Sequence, residues 1–223
     1  MHLYERDCSI QRRHQKLVEE SPAPGLPAVL RARLHEVGLR AARMAEYRNA
    51  GTVEFLVEGD TVYFLEMNTR LRVEHPVTEE VMGLDIVQAQ LRIAAGERLG
   101  WQQHDIAVRG AAIECRVYAE DPERGFLPSP GTITALDLPT GPGIRHECGV
   151  EGGSVVSVHY DPLLGKVIGF GVDRGQAIER LVAAVDGYRI EGVRTTLPLH
   201  RRILASTAFR AGAVHTRFLE REL

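Results

Sequence analysis

The 223 residues carry 27 Lys+Arg against 30 Asp+Glu, a formal charge of −3, and 44% of them are hydrophobic. That balance excludes a general basic footprint for nucleic acid and an acidic disordered chain, and the apolar content suffices for one large domain or two modest ones. No apolar run approaches the roughly 20 residues of a membrane helix, and residues 1–6 lack the features of a secretion signal. Three cysteines at no metal-like spacing (Cys8, Cys115, Cys148) predict a reduced, cytoplasmic chain.

Residues 2–20 read as extended segments broken by the polar run Gln11-Arg12-Arg13-His14-Gln15-Lys16, and they begin without a cap, as if in the middle of a structural unit. Pro22, Pro24, Gly25 and Pro27 mark a loop. Leu30, Leu34, Val37, Ala41 and Met44 then recur at helical spacing, which predicts a helix from Ala28 to about Tyr47. Two β-prone runs around Gly59-Asp60 predict a hairpin over residues 52–67, and a second helix is expected over 78–95. After a junction at 96–105, short strands are expected at 108–118, 131–138, 143–148, 155–158 and 166–170. Helices follow at 174–188 and 195–205. The fold class is α+β with antiparallel sheet.

The hairpin admits two registers. A two-residue loop, Gly59-Asp60, sets Glu54 opposite Leu65 and turns Glu66 to the other face. A three-residue loop, Gly59-Asp60-Thr61 with a bulge, sets Glu54 opposite Glu66 and brings Asn68 to the same face. Facing carboxylates in the second register need a cation between them, and Glu, Glu and Asn oxygens suit Mg²⁺. Beyond the hairpin, Asn68, Arg70, Arg72 and Glu74 alternate, so an extended chain would continue that face with anion-binding guanidiniums and a carboxylate base. A solvated edge strand shows the same alternation.

Glu66-Met67-Asn68-Thr69-Arg70 followed by Val73-Glu74-His75-Pro76-Val77-Thr78-Glu79 resembles the active-site strand of biotin carboxylases, the ATP-grasp subunits or domains of acyl-CoA and pyruvate carboxylases. Residues 5–16, Glu114-Cys115-Arg116, residues 119–122, residues 126–131 and His159-Tyr160-Asp161-Pro162 extend the resemblance over the whole chain. It implies the carboxy-terminal part of an ATP-grasp domain over residues 1–102, then the biotin carboxylase carboxy-terminal domain over residues 103–223. The implied reaction forms carboxyphosphate from ATP and bicarbonate and delivers its CO₂ to N1 of carrier-held biotin.

By this resemblance, Glu54, Glu66 and Asn68 hold Mg²⁺ or Mn²⁺, and Gln11, His14, Glu54, Leu56 and Glu66 serve the ATP site. Lys16, Arg70, Arg72, Val73 and Glu74 surround bicarbonate, with Glu74 as general base. Arg116 stabilises the oxyanion of deprotonated biotin, so the catalytic set is Arg70, Glu74 and Arg116. Implied partners are a biotin carboxyl carrier, a carboxyltransferase and a second copy in the full-length homodimer. No lysine sits in a Met-Lys-Met biotinylation segment, so biotin is expected on another domain or protein.

Two departures stand out. Arg72 occupies a position where the family has glutamine; arginine cannot accept a hydrogen bond, and its charge is expected to weaken Glu74 as a base. Nothing resembles the family's amino-terminal half or lid, and the isolated chain is therefore expected to lack biotin carboxylation. The alternatives are a non-catalytic remnant acting as an assembly module and a different ATP-grasp ligase.

Overall fold

The computed structural model describes all 223 residues. Strands β1 (Asp7–Arg12) and β2 (Gln15–Ser21) lead to helix α1 (Ala28–Met44), then to the hairpin β3 (Thr52–Glu58) and β4 (Thr61–Asn68). Helices α2 (His75–Met82) and α3 (Ile86–Ala94) precede β5 (Ala111–Tyr118). Short strands β6 (Glu120–Asp121), β7 (Leu127–Pro128), β8 (Gly131–Thr132) and β9 (Ala135–Asp137) come next, followed by β10 (Ile144–Cys148), β11 (Val155–Val156) and β12 (Leu163–Gly171). The chain closes with α4 (Arg174–Gly187), β13 (Arg189–Glu191), α5 (Leu197–Ala205), α6 (Thr207–Arg210) and α7 (Phe218–Arg221). The α+β class expected from the sequence is what the chain adopts. No helix is long and apolar enough to cross a membrane.

One antiparallel sheet, ordered β1-β2-β5-β12-β10, organises the molecule and draws strands from both sides of residue 102. Period-two alternation in β5 gives it two buried faces. Ile113, Cys115 and Val117 pack with Val167 against Leu181 and Val185 of α4 and Ile203 of α5. On the other face, Ala112 and Ile168 meet Val77 and Val81 of α2. Gly169 and Gly171 let α4 close on β12: a Cβ at Gly169 would lie 2.8 Å from the Ala177 carbonyl oxygen, and one at Gly171 2.5 Å from the Ala177 nitrogen.

The break expected in the polar run at 11–16 is a tight hairpin turn, with Arg12 opposite Gln15 and both turn residues, Arg13 (φ 47°) and His14 (φ 64°), in the left-handed region. Two local expectations need correction. The helix expected over 78–95 is two helices. Gly83 (φ 64°) ends α2 in a left-handed cap, and the Asp85 side chain accepts from Gln88 N to start α3. The extended run expected from Asn68 to Pro76 stops at Asn68, and Pro76 lies in the first turn of α2, where its missing N–H costs nothing.

Candidate active site

A cleft of about 1600 Å³ opens between the β1–β2 hairpin, the β3–β4 hairpin, the 69–74 turn and the start of α2. Gln11, His14, Lys16, Glu54, Leu56, Arg70, Arg72 and Glu74 all line it. The β1–β2 hairpin is held in place by buried Arg12, whose guanidinium pairs with Glu120 through Nε (2.8 Å) and Nη2. That guanidinium also lies over Tyr118 (5.4 Å) and Phe126 (5.3 Å).

Glu74 sits at the N-cap of α2 with its side chain 1% exposed. Lys16 Nζ donates to Oε1 at 2.7 Å, and Arg116 Nη2 donates to Oε2 at 2.9 Å. Arg6 Nη2 lies 3.9 Å from Oε1 while its guanidinium donates to Thr52 and Thr78, tying β3 to α2. Burial alone would push the Glu74 carboxyl up, but the charges of Arg6 and then Lys16, with the Lys16 hydrogen bond, outweigh it and hold the group at about 2. Arg72 was expected to do this. Its Nε is 3.5 Å from Glu74, and its shorter contacts go elsewhere.

Those contacts depend on the register of β3–β4. Glu58 pairs with Thr61, so the loop is the two-residue Gly59-Asp60, yet Glu54 still faces Glu66 and Thr52 faces Asn68. The ladder shifts between Glu54 and Phe55, which leaves Leu65 as the extra residue of a bulge. The facing carboxylates come from one register alternative and the turn from the other. Arg72 Nη2 lies 2.7 Å from Glu54 Oε1, and Arg72 Nη1 donates to Asn68 Oδ1 at 2.6 Å. Lys16 Nζ also donates to Glu54 Oε1, at 3.1 Å. The Asn68 amide donates to Glu66 (2.8 Å) and Glu54 (3.3 Å). Glu54, Glu66 and Asn68 thus offer oxygens of the type a hard divalent ion takes, and two of the three are engaged by a guanidinium.

Arg116 is fixed from three directions. Its Nε donates to Glu19 at 2.5 Å, Nη2 to Glu74, and Nη1 to Tyr118 Oη at 3.4 Å. Its carbonyl accepts from Thr196 Oγ1 at 3.0 Å and meets His200 Nε2 at 2.7 Å. Lys16, Glu54, Arg72, Glu74 and Arg116 therefore form one connected cluster. Other expected site residues lie outside it. Arg70 is exposed and donates to the Leu71 carbonyl, because the chain turns after Asn68 instead of alternating. Gln11 donates to the Cys8 carbonyl, His14 is exposed at the hairpin tip, and Leu56 is exposed on β3. The Val73 carbonyl accepts from Lys166 at 2.6 Å.

Arg6, Glu19, Glu114, Tyr118, Lys166 and His200 were not read from the sequence as site residues. For Glu114 a signal existed: it interrupts the largely apolar strand β5, which is buried on both faces, whereas Glu19 stands beside Glu20 in a strand with only two apolar residues. His75, Glu79 and Glu147 also cluster, but Arg145 and Lys166 already neutralise both carboxylates, so this is an ion-pair network.

Two family models match the chain: "Carbamoyl-phosphate synthase L chain, ATP binding domain" over residues 1–102, and "Biotin carboxylase C-terminal domain" over residues 114–221. Biotin carboxylase 2 of Bacillus subtilis (strain 168) is 53% identical over 224 residues, covering 100% of this chain and 50% of the relative. The biotin carboxylase of Halalkalibacterium halodurans is 51% identical over 224 residues, covering 100% and 49%. A solved biotin carboxylase domain dimer of Hydrogenobacter thermophilus 2-oxoglutarate carboxylase, in complex with MgADP, ADP and bicarbonate, matches with a TM-score of 0.95 at 47% identity. That match covers 98% of this chain and 49% of the other. The chain spans about half the length of the curated relatives it matches.

Proposed function

The chain belongs to the biotin carboxylase family, and on that premise we propose that it supplies the bicarbonate- and biotin-handling half of an ATP-dependent biotin carboxylation site. The observation that carries this reading is Glu74, a buried carboxylate suspended between Lys16 and Arg116 at the floor of the cleft. Both cations donate to Glu74, Lys16 sharing its charge with Glu54 and Arg116 with Glu19, and they keep Glu74 ionised and a weak base. A bicarbonate anion entering between them takes over their positive charge and makes Glu74 more basic when the substrate hydroxyl is within reach. Glu74 then accepts the bicarbonate proton as the substrate oxygen attacks the γ-phosphorus of ATP and the bond to ADP breaks. The carboxyphosphate C–O bond then breaks to give CO₂ and inorganic phosphate, the phosphate takes the N1 proton of biotin as N1 bonds to CO₂, and Arg116 faces the oxyanion that develops on biotin.

Residues 1–102 are read as the ATP-grasp portion and residues 103–223 as the carboxylase-type closing portion. Gln11, His14 and Leu56 are read as nucleotide contacts, and Arg70 as a bicarbonate contact that turns inward when the cleft is filled. A divalent ion at Glu54, Glu66 and Asn68 would neutralise ATP phosphate charge. Biotin arrives on a carrier domain, a carboxyltransferase consumes the product, and two copies pair as a homodimer. Glu74→Gln in the native enzyme is expected to lower bicarbonate-dependent ATP cleavage by about 10²–10⁴-fold. Turnover at the parental rate would rule out this assignment.

A further inference from the structure

The β3–β4 register forces Glu54 and Glu66 to face each other, an arrangement that calls for a positive charge. The chain provides that charge itself. Arg72 Nη2 lies 2.7 Å from Glu54 Oε1, and Nη1 donates to Asn68 Oδ1 at 2.6 Å. Because a guanidinium only donates, the Asn68 carbonyl oxygen must face it, and the amide nitrogen then faces Glu54 and Glu66. A divalent ion needs the opposite orientation, with Oδ1 inward beside the carboxylate oxygens. The Arg72 side chain is only 14% exposed, and its carbonyl accepts from His75 N at 3.2 Å, so the turn that delivers the guanidinium is anchored to the first turn of α2.

We infer that Arg72 is an internal counter-cation that competes with divalent metal for Glu54 and Asn68, so this chain binds such an ion more weakly than it would with a neutral residue at position 72. The inference deepens the reading of the cleft as a metal–nucleotide site and rests on it. It also relocates the effect of Arg72 from the basicity of Glu74 to the metal ligands. With the guanidinium in place, Glu54 Oε1 and Asn68 Oδ1 become available only after an ion pair and a hydrogen bond to a half-buried cation break.

The test is binding of Mn²⁺ alone to the full chain, followed by electron paramagnetic resonance without nucleotide. Arg72→Gln is expected to tighten Mn²⁺ binding on the order of tenfold, and adding Glu54→Gln should abolish the gain. Arg72→Lys, which keeps the charge but lacks the planar fork whose two nitrogens reach Glu54 and Asn68 separately, should fall between parent and glutamine variant, and it serves if Arg72→Gln fails to fold. Parent affinity equal to that of the variants, or a gain that survives Glu54→Gln, overturns the inference. If the Mn²⁺ pattern holds while the native enzyme shows no bicarbonate-dependent ATP cleavage, the proposed function fails and the competition at Glu54 stands.

Discussion

Glu19 on β2 and Glu114 on β5 are direct partners in the sheet ladder, both 0% exposed, and three of their four carboxyl oxygens have no hydrogen-bond partner. Only Glu19 Oε1 is engaged, by Arg116 Nε. Burial pushes both carboxyls up, most strongly Glu114, whose neighbour Glu19 adds like-charge repulsion. Arg116, Lys16 and Lys166 pull the other way without restoring the ordinary range, and Glu74 adds to the upward push. Geometry favours negative charge on Glu19, whose Oε1 meets the Arg116 guanidinium, over Glu114, neither of whose oxygens has a partner.

The sign of the pH dependence follows. A carboxyl whose folded value lies above its unfolded value contributes stability below the unfolded value and loses it as pH rises toward the folded one, by about 1.4 kcal/mol per unit per group. Glu114→Gln removes this liability. In urea titrations of the full chain, the variant should gain on the parent as pH rises from about 5 to 8, and the advantage should shrink toward pH 4.5. A difference that does not change with pH would mean that Glu114 is ionised in the folded chain.

How legible was this site beforehand? The facing of Glu54 and Glu66 could be derived from spacing, but the position of the extra residue could not: a bulge at Leu65 and a longer loop give the same pairing. The alternation from Asn68 to Glu74 misled for a physical reason. Periodicity assumes one conformation throughout, whereas the chain leaves the strand at Asn68 and enters α2 at His75, which buries Glu74, half-buries Arg72 and exposes Arg70. Arg6 and Lys166 reach Glu74 and Val73 from distant segments, and nothing local marks such contacts. The five-stranded sheet was partly legible as separate strands, but the pairing of β2 with β5, which brings Glu19 to Arg116, is long-range.

His200 sets an opposing slope at lower pH. It is fully buried, its Nε2 meets the Arg116 carbonyl, and its Nδ1 has no partner. Burial pushes it down to about 4, with the Arg116 contact acting weakly in the other direction. A depressed histidine contributes stability that is complete above its unfolded value near 6.5 and is lost as pH falls toward about 4, roughly 3 kcal/mol over that interval. Glu74, held at about 2, adds a loss that begins only below 4.5. His200→Gln should flatten the fall between pH 6.5 and 4 and leave the steeper part below 4.5. An unchanged acid limb in the variant would assign the fall to carboxylates alone.

The Arg12–Glu120 pair acts on the Glu74 cluster only indirectly, through the β1–β2 hairpin and Tyr118, because neither residue contacts Glu74 itself. Arg12 is buried, bonded through two nitrogens to Glu120, and covered by Tyr118 and Phe126. Arg12→Ala leaves Glu120 buried and uncompensated, which costs about 3–5 kcal/mol. The double replacement Arg12→Met with Glu120→Leu removes both charges and should recover most of that loss, since no unpaired group is left behind. The two variants also predict different local behaviour. Hydrogen exchange at β1 and β2 should accelerate in Arg12→Ala, as the hairpin that delivers Lys16 to Glu74 loses its anchor, and should return toward the parent in the double variant. Equal destabilisation by both would show that the aromatic stacking of the guanidinium, rather than the ion pair, holds the hairpin to β5.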